Sequence, residues 1–229
     1  MLLPKRAVIF ANGQLRSPKR LAALLQPEDY LIAADGGLRH LHRLERTPHL
    51  LIGDLDSVTE EEVRRAAENG AEVRRYPREK DETDLELALK VAVEGGSRFI
   101  VIAAALGGRL DHTLGNLALL LRPELAGLDV RLEDGREEVF LIRDRAEIQG
   151  RAGDIVSLLP WNGPAEGVTT QSLRYPLCGE TLFPDRTRGI SNEMQGGTAQ
   201  VSLCAGILLC IHTRKKKPSV IRWKRRGYL

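Results

Sequence analysis

Residues 7–135 switch repeatedly between two hydrophobic periods, and this alternation limits the possible folds more than any other feature of the chain. "AVIFANG" (7–13), "YLIAADGG" (30–37), "HLLIG" (49–53), "AEVRRYP" (71–77), "RFIVIAAALGG" (98–108) and "DVRLEDG" (129–135) read as strands. Between them lie helical segments. "SPKRLAALLQ" has Ser17 as N-cap and Pro18 at the first helical position. "LRHLHRLE" sets Leu38, Leu41 and Leu44 at three-residue steps. "TEEEVRRAAENG" has acids in its first turn and Gly70 as its stop. "TDLELALKVAVEGG" carries Leu85, Ala88, Leu89, Ala92 and Val93 on one face, with Thr83 and Glu86 spaced as a capping box. "LDHTLGNLALLL" lines up Leu110, Leu114, Leu117 and Leu121. Strands alternating with helices imply a mostly parallel, doubly wound sheet covered on both faces. Ligands bind beyond the carboxyl ends of such strands. Those ends carry Asn12–Gly13, Asp35–Gly37, Gly53–Ser57 and Gly107–Asp111.

Near Gly135 the helical period stops. Short β-type runs follow ("EVFLIR", "DIVSLL", "TAQVSLCAGILLCIHT"), punctuated by Gly and Pro. This is the pattern of a β-sandwich or small barrel. The expected fold class is therefore α/β with a C-terminal all-β sandwich, divided into residues 1–135 and 136–229, with the two parts closely packed.

Composition removes several function classes. The 34 basic and 31 acidic residues give a net charge of +3, but eight basic residues and no acid fall in Arg214–Leu229. The other 213 residues then hold 26 basic against 31 acidic groups. A chain acidic over nearly all its length, with 4% aromatics, offers no nucleic-acid platform. The tail reads as a solvated strand edge and terminus. Cys178, Cys204 and Cys210 form no CxxC pair, so reduced, buried thiols are expected rather than disulfides or zinc. The start "MLLPKRAVIFANG" has too short an apolar run for a signal peptide, and "FIVIAAAL" is far too short to cross a membrane. A cytoplasmic protein with no membrane partner is the expectation.

Two clusters carry chemistry. "GDLDS" offers Asp54 and Asp56, hard oxygen donors of the kind Mg²⁺ takes. As a bare sequence it is equally a strand-to-loop turn with Ser57 or Thr59 capping a helix. "KDETDLE" adds Lys80, Asp81 and Asp84 at the mouth of the same sheet; one or two acids there need no more explanation than a helix dipole. "LGGRLDHTLGN" adds Gly107 and Gly108 for close backbone approach, Arg109 for bidentate contact with phosphate, and Asn116 one turn beyond His112. It reads alternatively as a turn with a structural Arg109–Asp111 pair. Neither GxxxxGK[ST] nor GxGxxG is present. Residue types alone reach Mg²⁺-dependent phosphate chemistry in an α/β cleft.

"AADGG", "GDLDS", "KDETDLELAL" and "GGRLDHTLGNL", in this order, resemble the thiamine pyrophosphokinase family. "GVTTQSLRYPL" (167–177) and "GISNE" (189–193) are similar to the thiamine-binding stretches of its bacterial branch. Leu55 departs from the usual Phe, and Ser172 and Arg174 depart from "GLKYPL". The resemblance implies transfer of the β,γ-pyrophosphoryl group of ATP to the hydroxyethyl group of thiamine, giving thiamine diphosphate and AMP. It implies Asp54, Asp56 and Asp84 as Mg²⁺ ligands, and Arg109 as a clamp on the transferred group. Around ATP it implies Asn12, Asp35, Gly36, Gly37, Ser57, Lys80, Thr83, Gly108, His112, Asn116 and Asp111. Asp81, Asp84 and Asp111 stay open as candidate general bases. It implies a homodimer with thiamine bound between subunits, Tyr175 stacking on its ring and Thr169, Ser191 and Asn192 beside it. Two rival readings are a phosphatase with Asp54 as nucleophile, which leaves "GGRLDH" without a role, and a sensor that binds without turnover.

Overall fold

The computed structural model describes residues 4–215. Six parallel strands form its first half: β1 (Arg6–Phe10), β2 (Tyr30–Ala34), β3 (Leu50–Gly53), β4 (Glu72–Arg75), β5 (Phe99–Ala103) and β6 (Asp129–Glu133). Their spatial order is β6-β5-β1-β2-β3-β4. The chain moves outward from β1 to β4, then returns to place β5 on the other side of β1. That reversal opens a crevice at the strand ends where ligands bind in such sheets.

Both faces of β2 and β3 are buried, which is why their sequences are apolar without alternation. On one face Val8, Phe10, Leu31 and Leu51 pack against α1 (Pro18–Leu24), α2 (Leu38–Arg43) and α3 (Glu60–Glu68) through Leu21, Leu38, Leu41 and Val63. On the other, Ile9, Ile32, Ile52 and Ile102 meet Leu85, Ala88, Leu89 and Ala92 of α4 (Asp84–Glu94).

The second half continues the same sheet. β7 (Glu137–Ile142) pairs antiparallel with β6, Val139 opposite Leu132, across the expected boundary at residue 135. β14 (Leu208–Thr213), β9 (Ile155–Pro160) and β12 (Asn192–Glu193) extend it to ten strands. A second sheet packs on this antiparallel end, in the order β11 (Glu180–Leu182), β10 (Ala165–Gln171), β13 (Thr198–Ser202), β8 (Arg145–Gln149). Phe140, Val156, Leu158 and Cys210 of the large sheet meet Ile148, Val168, Ala199 and Val201 of the small one. Mostly parallel sheet and antiparallel sandwich are thus both present, as the periodicity implies. An ion-pair network crosses the junction. Arg131 reaches Asp129 and Glu138, Arg214 reaches Glu133 and Glu138, and His212 lies 3.4 Å from both Glu138 and Asp154.

Several local expectations need correction. Ser17 makes no capping hydrogen bond. Only half of the expected box at Thr83 forms: Thr83 accepts from the Glu86 amide, while the Glu86 carboxylate pairs with Arg122. Cys210 is buried, but Cys178 and Cys204 are exposed on sandwich loops. α5 (Leu110–Leu119) is helical, yet Leu110 and Leu114 are 71% and 50% exposed, so their spacing does not mark a core face. Of the basic tail, Arg214 and Lys215 are described; residues 216–229 lie outside the described residues.

Candidate active site

Four strand ends converge on a cleft of about 530 Å³, a size typical of small-molecule sites. Asn12 follows β1, Asp35 follows β2, and Asp54, Asp56 and Ser57 follow β3. Lys80, Thr83 and Asp84 enter from the start of α4. Gly108, Arg109, His112 and Asn116 close the far wall from the β5–α5 turn and α5.

At its floor, oxygens of Asp35, Asp54 and Asp84 all lie within 4.8 Å of one another. Backbone geometry makes this possible. Gly53 has φ 144°, and a Cβ there would sit 2.9 Å from Asp84 Cγ, so a side chain would displace the carboxylate. The Asp84 pKa is raised, chiefly by burial and further by Asp54 and Asp35, while the Lys80 ammonium opposes the shift. Lys80 Nζ lies 3.0 Å from Asp84 Oδ1 and 3.9 Å from Asp54 Oδ2. Apart from this ion pair, Asp84 Oδ1 is buried without a hydrogen-bond partner among the described residues. Three hard oxygen donors, one of them buried with only the Lys80 ion pair to satisfy it, suit a small divalent cation such as Mg²⁺.

The resemblance implies Asp56 in this set and Asp35 around the nucleotide. Asp56 lines the same cleft, but its side chain is 50% exposed and lies 3.8 Å from Arg78. Its amide donates to Asp54 Oδ1 at 3.2 Å, and its carboxylate accepts from Ser57 Oγ. Asp35 is buried and accepts from the Ser57 amide at 3.2 Å.

Arg109 reaches the cleft with its guanidinium bound to Asp111 at 2.5 Å, so the structural pair also exists. The Arg109 hydrogen bond, aided by the His112 amide, holds the Asp111 carboxyl at about 2. Asp111 and Asp81 are exposed and do not line the cleft. Asn116 faces the cleft while its amide donates to the Ala105 carbonyl at 2.8 Å. Gly36 and Gly37 do not line it. They are buried and packed so closely that a Cβ would strike the Asn12 side chain at 2.5 Å from Gly36 and the Phe10 carbonyl at 1.8 Å from Gly37.

Two residues that sequence reasoning passed over support the site. Arg39 Nη2 donates to the Asn12 carbonyl at 2.6 Å, and His40 Nε2 hydrogen-bonds the Gly13 carbonyl at 3.0 Å. Their signal was adjacency: both immediately follow "DGGL" on α2.

In the sandwich, Asn192 is buried and spans the Tyr175 backbone, accepting from its amide at 2.9 Å and donating to its carbonyl at 2.6 Å. The Tyr175 ring is left 55% exposed, with Arg174 over its face at 5.7 Å. The Ser191 amide donates to Ser157 Oγ. Thr169 stands apart: it lines a polar hollow with Arg145, Gln171 and Gln200, and its hydroxyl accepts from the Gly179 amide. A cavity of about 540 Å³ elsewhere, between Phe99 and Arg214, has Arg6, Arg131 and Arg214 already bound to carboxylates and, among the described residues, no buried polar atom without a partner.

Comparison with known proteins points one way. Residues 21–132 match the family described as "Thiamin pyrophosphokinase, catalytic domain", and residues 142–208 match "Thiamin pyrophosphokinase, vitamin B1 binding domain". The chain is 32% identical over 209 residues to thiamine pyrophosphokinase of Bacillus subtilis, covering 90% of this chain and 97% of the relative. A crystal structure of the Bacillus subtilis enzyme superposes with a TM-score of 0.83 at 29% identity, covering 93% of this chain and 100% of that one. That of Geobacillus thermodenitrificans gives 0.78 at 26%, covering 92% and 98%. Among the described residues, no helix is long and apolar enough to cross a membrane.

Proposed function

The chain belongs to the thiamine pyrophosphokinase family, and from that premise we propose that its acidic cleft transfers the β,γ-pyrophosphoryl group of ATP to the thiamine hydroxyl, releasing AMP. The observation that carries this reading is the gathering of Asp35, Asp54 and Asp84 opposite Arg109 in one cleft. Acids at one wall hold a metal; a guanidinium and glycine backbone at the other receive phosphate.

Phosphoryl chemistry asks little covalent work of a protein; positioning and charge neutralisation carry most of it. Asp35, Asp54 and Asp84 would hold Mg²⁺, with Asp56 at the rim. When bound, the ion supplies Lewis-acid neutralisation of charge on the phosphate oxygens. Arg109 would leave Asp111 to clamp the transferred group. Lys80, Asn12, Ser57, Thr83, Gly108, His112 and Asn116 would surround the nucleotide. Of the three carboxylates named as candidate bases, Asp84 alone lines the cleft.

In this reading residues 1–135 hold ATP and metal, and residues 136–229 bind thiamine and form the homodimer. Tyr175 would stack on the cationic thiazolium, a contact worth about 0.5–2 kcal/mol. Asn192 would fix the backbone carrying it, with Ser191 at the polar edge. Exposed Tyr175, Phe183 and Ile190 on the sandwich are apolar surfaces a second copy would cover. The protein would act in the cytoplasm.

Incubating purified protein with thiamine, ATP and Mg²⁺ tests this directly. AMP and thiamine diphosphate should appear in equal amounts and vanish with EDTA. Binding of both substrates with no AMP would replace the enzyme by a sensor.

A further inference from the structure

Lys80 enters the acidic cluster itself. Its ammonium lies 3.0 Å from Asp84 Oδ1 and 3.9 Å from Asp54 Oδ2, and donates to the Pro77 carbonyl at 3.2 Å. The side chain is mostly buried, 12% exposed, unlike Arg78 on the rim at 83%. An ammonium at this spot pairs with the buried Asp84 Oδ1, which makes no regular hydrogen bond to any other described group. It occupies lone pairs that a metal ion would use, and its charge repels a second cation nearby. Lysine also has a flexible four-carbon stem and binds phosphate as a point charge. Two anionic partners therefore compete for one ammonium: the carboxylates, and the phosphates of an incoming nucleotide.

We infer that Lys80 couples metal binding to nucleotide binding. While the nucleotide is absent, its ammonium neutralises Asp54 and Asp84 and holds the metal position. A triphosphate draws it away, so the cation is admitted with the nucleotide and resisted alone. Linkage makes the effect reciprocal: the metal must raise nucleotide affinity by the same factor. This rests on reading the cluster as the metal position.

The test is binding of Mn²⁺, as a spectroscopic stand-in for Mg²⁺, to the full chain with and without a non-hydrolysable ATP analogue. Lys80→Met should bind Mn²⁺ alone about fivefold tighter or more than the wild type, and should gain less from the analogue. Lys80→Arg, which keeps the charge, should stay weak without nucleotide. Metal-free Lys80→Met should melt below the wild type and recover more on adding Mn²⁺. Should Lys80→Met prove too unstable to titrate, Lys80→Gln serves in its place. Metal binding that depends on Asp54 but is no tighter in either neutral variant overturns the inference. Should Asp54→Asn leave Mn²⁺ binding unchanged even with the analogue, the metal reading itself falls and the inference with it.

Discussion

Leu55 decides what the DxD pair can do. In an extended strand two residues apart share a face, which is why Asp54 and Asp56 look like partners in the sequence. Here Leu55 has φ 62° and is buried, so the chain turns as soon as β3 ends. Asp54 goes to the floor of the cleft and Asp56 to its rim. Asp35 takes the vacant place because β2 lies beside β3, and strand neighbours are not written in local periodicity. The mouth of the sheet was thus legible in the sequence, whereas the identity of its third carboxylate was not. Asp54→Asn should lower turnover about 10²-fold or more with the fold intact, since a charge-stabilising donor is removed. Asp56→Asn should cost under about tenfold by the same assay. Equal losses would restore Asp56 to the floor of the site. Tyr175→Ala should raise KM for thiamine far more than KM for ATP; equal changes would assign the ring a packing role.

Two helices carry the same capping spacing with different outcomes. At α3, Thr59 accepts from the Glu62 amide and Glu62 returns to the Thr59 amide at 2.8 Å, closing the box. At α4, Thr83 does its half, but Glu86 is taken by Arg122, 36 residues away. Local spacing predicts a box equally well in both places; a distant guanidinium settles which one closes. Leu110 and Leu114 of α5 fail as a core signal for a related reason, although Leu117 on the same stripe packs against the core. Periodicity reports that one face is apolar, not whether anything in the same chain covers it. Thr59→Ala should cost about 1 kcal/mol in urea denaturation while leaving KM for both substrates unchanged, because the cap lies outside the cleft. A loss under about 0.3 kcal/mol would show that Thr59 contributes no net capping energy.

The composition shift at Gly135 marks a change of architecture, not a gap in the structure, because β6 and β7 are hydrogen-bonded neighbours. Polar residues on that seam look, in sequence, like ordinary surface charges; the fold joins them in one network and buries Glu133, Asp154 and His212 within it. Burial alone would raise the Glu138 carboxyl, but His212, Arg131 and Arg214 outweigh it and hold its pKa at about 2. In the unfolded chain the group titrates near 4.5. Its contribution is therefore complete above about pH 4.5 and is lost as pH falls towards 2, an upper bound of about 3 kcal/mol. Asp154, also lowered against its burial by the Lys215 amide and His212, acts in the same sense. Glu133 acts in the opposite one: burial raises its pKa despite Arg214, so its share favours the folded state at low pH and fades as pH rises. The net slope is accordingly shallower than Glu138 alone would give. Urea midpoints measured from pH 5 to pH 2.5 should fall steadily, with circular dichroism and tryptophan fluorescence reporting one transition for both halves. Glu138→Gln should be less stable at pH 7, since Arg131 and Arg214 lose a buried counter-charge, and should show a flatter pH dependence. An unchanged slope would mean that carboxylates outside the seam control acid unfolding. Two separated transitions would mean that the shared sheet does not make the halves fold as one.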